Sequence, residues 1–217
     1  MHKLKSNYIK LDTKTRLYNS AHPIIGLTGG IATGKSTASK ILSSLGVPVI
    51  DADKLIKKVY AKDSIFKFLE QNCSQVISSE QINFKLLREI FFNNKKLKQQ
   101  LELLLYQYLP EAFEEAKKEL SFSKYNFLIY DVPLLFEKKL EEKCDLTVFI
   151  SCSVDQQIQR LIKRDQVSLE LAKKILAHQM PLEEKRKKAN FIIDNTSVPQ
   201  KLHSNMINFL ETLTQRS

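Results

Sequence analysis

The sequence has little glycine, and all of it lies in one place. Only five glycines occur in 217 residues, and they fall between Gly26 and Gly46. Glycine adopts φ > 0 without steric cost and lets other groups approach the backbone closely. Its concentration in the stretch IIGLTGGIATGKSTASKILSSLG therefore indicates one segment whose backbone has unusual requirements.

Cysteine and histidine are also scarce, and tryptophan is absent. The three cysteines form no C-x-x-C pair and the four histidines are scattered, which argues against a disulfide scaffold and a zinc site. Unpaired cysteines suit a reducing compartment, so we expect a cytoplasmic protein. No uncharged apolar run approaches the roughly 20 residues that span a bilayer, so we expect no membrane partner.

Positive charge is in excess, with a formal net charge of +10. Such a surface is compatible with nucleic acid, an anionic membrane or a phosphorylated small substrate. The chain has no RNP box, zinc finger or homeodomain pattern, so we expect a small-molecule substrate and no nucleic acid. Residues 1–23 are basic and have no apolar core, which predicts a flexible N-terminal extension rather than a secretion signal.

Short apolar runs alternate with segments of helical periodicity. This alternation predicts an α/β fold with a parallel sheet covered on both faces. Residues 54–120 contain few helix breakers and predict a mostly helical region. The predicted strands lie at about residues 24–28, 47–50, 126–130, 145–150 and 190–193.

The motif G-x-x-x-x-G-K-[ST] occurs at residues 29–36, after a predicted strand and before a predicted helix. This context favours a P-loop, whose backbone N–H groups surround the phosphates of ATP. A plain glycine turn before a helix is the alternative, and it leaves Lys35 and Ser36 unexplained. We expect Lys35 to reach the β- and γ-phosphates and Ser36 to bind Mg²⁺. The expected phosphate-binding residues are Gly29, Gly30, Ile31, Ala32, Thr33, Gly34, Lys35, Ser36 and Thr37.

Acidic residues follow two predicted strands. Ligands of open parallel sheets bind at the carboxyl ends of the strands, so Asp51, Asp53 and Asp131 are candidate site residues. Asp51 and Asp53 are two residues apart, so in an extended segment both carboxylates point to the same side. A carboxylate there can accept the proton of an attacking hydroxyl or organise Mg²⁺. Helix capping is the structural alternative for this pair. For Asp131 we predict contact with the acceptor substrate.

Two arginines, Arg160 and Arg164, are separated by one helical turn and share one helix face. Arginine gives bidentate contacts to phosphoryl oxygens, so this helix is a candidate lid over the transferred phosphate. A solvated basic helix face is the alternative interpretation.

Six blocks, in order from Ile24 to Asn195, resemble the dephospho-coenzyme A kinase family. They are IIGLTGGIATGKST, VPVIDADKL, YDVPLLFE, QIQRLIKRD, LAHQMPLEEK and FIIDN. The resemblance implies a three-layer P-loop kinase domain over residues 24–215, with a helical substrate-binding lobe at about 54–125 and a lid at about 154–188. It also implies ATP-dependent phosphorylation of the ribose 3′-hydroxyl of dephospho-CoA, the last step of coenzyme A synthesis. Asp53 would be the base, Arg160 and Arg164 lid arginines, and Asn195 a neighbour of the adenine.

The sequence departs from the family pattern within the helical lobe. Where the family has an acid-arginine pair after an isoleucine, this chain reads Ile82-Asn83-Phe84-Lys85, and where it has a His-Pro pair the chain has Tyr106-Gln107. We hypothesise that Lys85 or Arg88 supplies the missing basic contact to the acceptor. Two alternative functions remain: another P-loop kinase of nucleosides or nucleotides, and a diverged nucleotide-binding protein without transferase activity. The blocks DVPLLFE and QMPLEEK count against the first, and intact Lys35 counts against the second.

Overall fold

The computed structural model describes residues 1–79, 81–196 and 199–216. It contains two compact units, Met1–Asp51 with Leu120–Ser217 and, between them, Ala52–Glu119. The strands are β1 His2–Leu4, β2 Ile24–Gly29, β3 Val49–Asp51, β4 Ile77–Ser78, β5 Gln81–Ile82, β6 Leu128–Asp131, β7 Leu146–Ser151, β8 Phe191–Asp194 and β9 Thr214–Arg216. The α-helices are α1 Lys35–Ser44, α2 Ala52–Tyr60, α3 Asp63–Cys73, α4 Phe84–Asn93, α5 Lys95–Lys118, α6 Val154–Asp165, α7 Leu169–Ala177, α8 Leu182–Lys188 and α9 Pro199–Leu213.

A five-stranded parallel sheet forms the centre of the first unit, in the order β3-β6-β2-β7-β8. Every residue of β2, β6 and β7 is buried, as expected for central strands covered on both faces. The predicted α/β fold with a parallel sheet is confirmed. Because all strands run the same way, the carboxyl ends of β2, β3 and β6 meet at one edge.

Helices and a loop cover the two faces of this sheet. Ile25 and Leu27 belong to the apolar cluster that contains Leu42 of α1 and Met206 of α9. The intervening Gly26 faces the opposite side, where a Cβ atom would contact Leu135 and Cys144. Alternate residues of β2 thus contact the two layers on opposite faces of the sheet.

The second unit is mainly helical, as the periodicity of residues 54–120 predicts. Its longest helix, α5, buries Leu101, Leu105 and Leu109 at intervals of one turn. Sequence analysis missed the short antiparallel pair of β4 and β5, because strands of two residues carry no readable alternation. The unit spans residues 52–119, whereas the sequence predicts a lobe at about 54–125. Of the helices that the structure describes, none combines the length and apolarity needed to cross a membrane.

Residues 1–23 do not form the flexible extension that the sequence predicts. Strand β1 pairs antiparallel with β9. The Arg16 guanidinium forms an ion pair of 2.7 Å with Asp145, and the two side chains are only 4% and 0% exposed. The Asp145 carboxylate also accepts the backbone N–H groups of Lys10, Leu11 and Ile24 at 2.9–3.1 Å. The buried Asp145 carboxylate thus pairs with the charge of Arg16, accepts N–H groups of this basic segment and holds the segment in place. No local sequence pattern predicts this contact.

Candidate active site

The loop between β2 and α1 has the backbone of an anion-binding nest. Ala32 and Gly34 both adopt the left-handed region, with φ of 59° and 96°. Alternating left- and right-handed residues turn successive N–H groups toward one concavity. Among the described residues, the N–H groups of Ala32, Gly34, Lys35 and Ser36 have no protein acceptor. The loop therefore offers unused donors at the positive end of α1, where a phosphate binds well.

Glycine is required at Gly34 for two reasons. Its positive φ is unfavourable for residues with a side chain. A Cβ atom there would also lie 2.2 Å from Nδ2 of Asn195. Asn195 follows β8, is buried, and donates from Nδ2 to the Thr33 carbonyl oxygen at 2.8 Å. Asn195 thus holds the loop backbone directly, while its predicted position near the adenine stays a prediction.

Lys35 and two acidic side chains meet at the carboxyl edge of the sheet. The Lys35 ammonium donates to Asp131 Oδ1. Asp51 is the register partner of Asp131 on the adjacent strand β3. Burial raises the pKa of Asp131, and the charge of Asp51 adds to this effect, whereas Lys35 and Ser39 oppose it. The structure therefore brings together three of the predicted site residues.

Arg160 and Arg164 diverge, although they share a helix. Arg160 donates to the carbonyl oxygens of Ala32, Thr33 and Asn195 at 3.4, 3.3 and 2.9 Å, so it braces the loop. Arg164 instead forms two hydrogen bonds with the neighbouring Asp165, at 2.7 and 2.9 Å. Its side chain is 58% exposed. In this state only Arg160 lies against the phosphate loop.

A buried ion pair joins the two sequence blocks that distinguish the family resemblance. Lys185 of QMPLEEK lies 2.7 Å from Oε1 of Glu137 of DVPLLFE, and the lysine side chain is fully buried. The next residue, Arg186, donates to Ser151 Oγ and Asp194 Oδ1. Sequence reasoning missed these contacts because a lysine within LEEKRKK has the pattern of a solvated helix. The signal available in the sequence was that DVPLLFE and QMPLEEK occur together in one chain.

The remaining predicted residues belong to the second unit. Asp53 lies in the first turn of α2 and is exposed. Lys85 and Arg88 are both exposed on α4, three residues apart and therefore on one face. Asn83, one of the departures from the family pattern, accepts the Leu86 N–H at 3.0 Å and caps α4. The altered sequence therefore provides a sound helix start.

Three kinds of comparison find similar proteins. A family model described as dephospho-CoA kinase matches residues 23–200. A dephospho-CoA kinase of Fusobacterium nucleatum is 36% identical over 192 residues, which is 88% of this chain and 98% of that protein. The crystal structure of TT1252 from Thermus thermophilus matches with a TM-score of 0.78 at 28% identity, over 89% of this chain and 100% of that one. The dephospho-CoA kinase from Campylobacter jejuni matches with a TM-score of 0.64 at 30% identity, over 87% and 95%.

Proposed function

The chain belongs to the dephospho-CoA kinase family, and from that premise we propose that it transfers the γ-phosphoryl group of ATP to the ribose 3′-hydroxyl of dephospho-CoA. This reaction completes coenzyme A synthesis. The observation that carries the proposal is the nest of unused N–H groups beside Lys35, at the sheet edge where Asp51 and Asp131 lie. A chain with free thiols at all three cysteines suits the cytoplasm, where we place it.

The loop binds the triphosphate mainly through its backbone. The N–H groups of Ala32, Gly34, Lys35 and Ser36 donate to phosphate oxygens, and the start of α1 adds partial positive charge. The Lys35 ammonium exchanges its Asp131 partner for the β- and γ-phosphates. Since phosphoryl transfer depends chiefly on positioning and charge neutralisation, these contacts supply most of the catalysis.

The donor set at this edge of the sheet fits Mg²⁺. The ion prefers hard oxygen ligands and keeps water and substrate phosphate in its shell, so one or two protein donors suffice. The Ser36 hydroxyl, exposed at the start of α1, and the Asp51 carboxylate would hold it. The ion supplies neutralisation of the charge that develops on the phosphoryl oxygens.

Asp53 is the general base of the proposed reaction, and it orients the 3′-hydroxyl while taking its proton. Asp131 contributes to holding the acceptor. The exposed cations Lys85 and Arg88 bind the anionic groups of dephospho-CoA. The helical lobe at about 54–125 is thus the acceptor-binding part of the protein.

The segment 154–188, the lid, closes over the bound nucleotide. Arg160 already touches the loop, and Asn195 hydrogen-bonds the Thr33 carbonyl oxygen, so we expect the adenine to bind next to Asn195. Arg164 leaves Asp165 and contacts the transferred phosphate when the lid closes. An arginine used this way stabilises charge that is greatest in the transition state.

An acceptor panel tests the function. The protein is incubated with ATP, Mg²⁺ and one acceptor at a time, namely dephospho-CoA, AMP, CMP or adenosine, and ADP release is followed. We expect turnover with dephospho-CoA alone. Turnover with one of the other acceptors instead would make the protein a different nucleoside or nucleotide kinase. ATP binding without turnover on any acceptor would make it a non-catalytic nucleotide-binding protein.

A further inference from the structure

One residue of the phosphate loop, Ile31, is held through both its N–H and its carbonyl group by side chains of the lid. Gln157 Nε2 donates to the Ile31 carbonyl oxygen at 2.6 Å. The Ile31 N–H donates to Gln179 Oε1 at 2.9 Å. Gln157 lies in α6 and Gln179 follows α7, so the two glutamines flank the α6–α7 hairpin. Side chains from both ends of this hairpin therefore hydrogen-bond the same residue.

The absence of a side chain at Gly30 allows Gln157 to approach the Ile31 backbone this closely. A Cβ atom on Gly30 would lie 2.8 Å from Gln157 Nε2 and 2.7 Å from Leu182 Cδ2. Both distances are shorter than a van der Waals contact permits, so a side chain at this position would displace the Gln157 amide and the end of the Leu182 side chain. The φ of Gly30 is not positive, so no left-handed turn requires a glycine here. Its smallness thus serves the approach of the lid rather than a backbone turn.

The Ile31 N–H differs from the donors that follow it in the loop. The N–H groups of Ala32 and Gly34 have no protein acceptor among the described residues, whereas that of Ile31 is satisfied by Gln179. Gln157 is almost completely buried, so its hydrogen bond is shielded from competing water. The glutamine pair thus fixes the loop immediately before the point where its open donors begin.

We propose that Gln157 and Gln179 are positioning residues that fix the backbone on both sides of Ile31 and thereby couple the lid to ATP binding. The inference rests on the proposed function only in that ATP occupies the loop. With the pair intact, the unused donors are preorganised and the lid is ordered by the same two hydrogen bonds. With either bond removed, ATP binding must first order the loop, which lowers the affinity.

The test replaces each glutamine with methionine, which keeps the side-chain length and removes the amide. Gln159→Met on the exposed face of α6 is the matched control. We expect Gln157→Met and Gln179→Met each to raise the Kd of a fluorescent ATP analogue about five- to tenfold. The KM for dephospho-CoA should stay within twofold of wild type. Without nucleotide, trypsin should cut faster at the exposed Lys173 and Lys174 of α7.

Gln179→Glu separates positioning from simple stabilisation. Its carboxylate still accepts the Ile31 N–H, so protease resistance of the lid should return to the wild-type level. Its negative charge lies beside the triphosphate, so the Kd for ATP should remain raised and should recover as salt is added. If the Gln179 contact only stabilised the fold at a distance from the phosphates, Gln179→Glu would restore both the protease resistance of the lid and the affinity for ATP.

The proposal is overturned by unchanged or tighter ATP binding in Gln179→Met, by equal changes for both substrates, or by the same effects in Gln159→Met. Full recovery of ATP affinity in Gln179→Glu at low salt also overturns it. The protease assay needs neither nucleotide nor turnover. A protein that binds ATP but fails on dephospho-CoA would therefore refute the proposed function and leave this inference intact.

Discussion

The phosphate loop and helix α4 place their predicted ligand-binding groups in opposite ways. The loop presents backbone N–H groups, and its conformation is fixed by side chains from remote segments, such as Asn195 and Arg160. Helix α4 presents Lys85 and Arg88, which are exposed, on a helix whose start is capped locally by Asn83. A site made of backbone requires a particular sequence, because few sequences adopt the necessary φ values. A site made of exposed cations requires only charge within reach, so its sequence can change.

The largest effect should come from the loop. In the proposed reaction Lys35 neutralises charge on the transferred phosphoryl group, so we expect Lys35→Ala to lower kcat about a hundred- to a thousandfold. Lys40→Ala on the exposed side of the same helix is the control and should keep wild-type activity. Steady-state kinetics and circular dichroism measure activity and fold separately. Near-normal kcat in a folded Lys35→Ala protein would contradict the assigned role.

A smaller effect should come from α4. Lys85→Ala and Arg88→Ala each remove one exposed cation, so we expect the KM for dephospho-CoA to rise about two- to fivefold per substitution. The KM for ATP and kcat should not change. Lys95→Ala, exposed at the start of α5, serves as the control. If both substitutions leave the KM for dephospho-CoA unchanged, these residues do not replace the missing basic contact.

The smallest effect concerns the pH dependence of stability at the sheet edge. Burial raises the pKa of Asp131 in the folded protein, so the folded state binds its proton more tightly than the unfolded state does. The free energy of unfolding should therefore decrease as pH rises from the ordinary Asp pKa, about 4, to the raised value. Asp131→Asn should lack this component. Parallel Tm curves for the two proteins across acidic pH would contradict the prediction.

The sequence predicted the parts of the site that depend on neighbours in the chain. The spacing of Gly29, Gly34 and Lys35 predicted the loop, and the flanking periodicities predicted β2 and α1, which the structure confirms. Helical spacing also placed Arg160 and Arg164 on one face. It could not predict that Asp165 would engage Arg164, because one short side-chain rotation decides between a neighbour and a distant group.

By itself, the sequence determined the α/β fold, the phosphate loop and the family. The fold and the loop follow from local information, namely the φ that glycine permits and the periodicity that places apolar residues on one face, whereas the family follows from the resemblance of six sequence blocks. Only the tertiary structure decided that Arg16 meets Asp145, 129 residues away, and that Lys185 is buried against Glu137. It also decided that Gln157 and Gln179 both hydrogen-bond the backbone of Ile31. Such polar contacts depend on which segments the sheet topology brings together, and a polar residue carries no local mark of its distant partner.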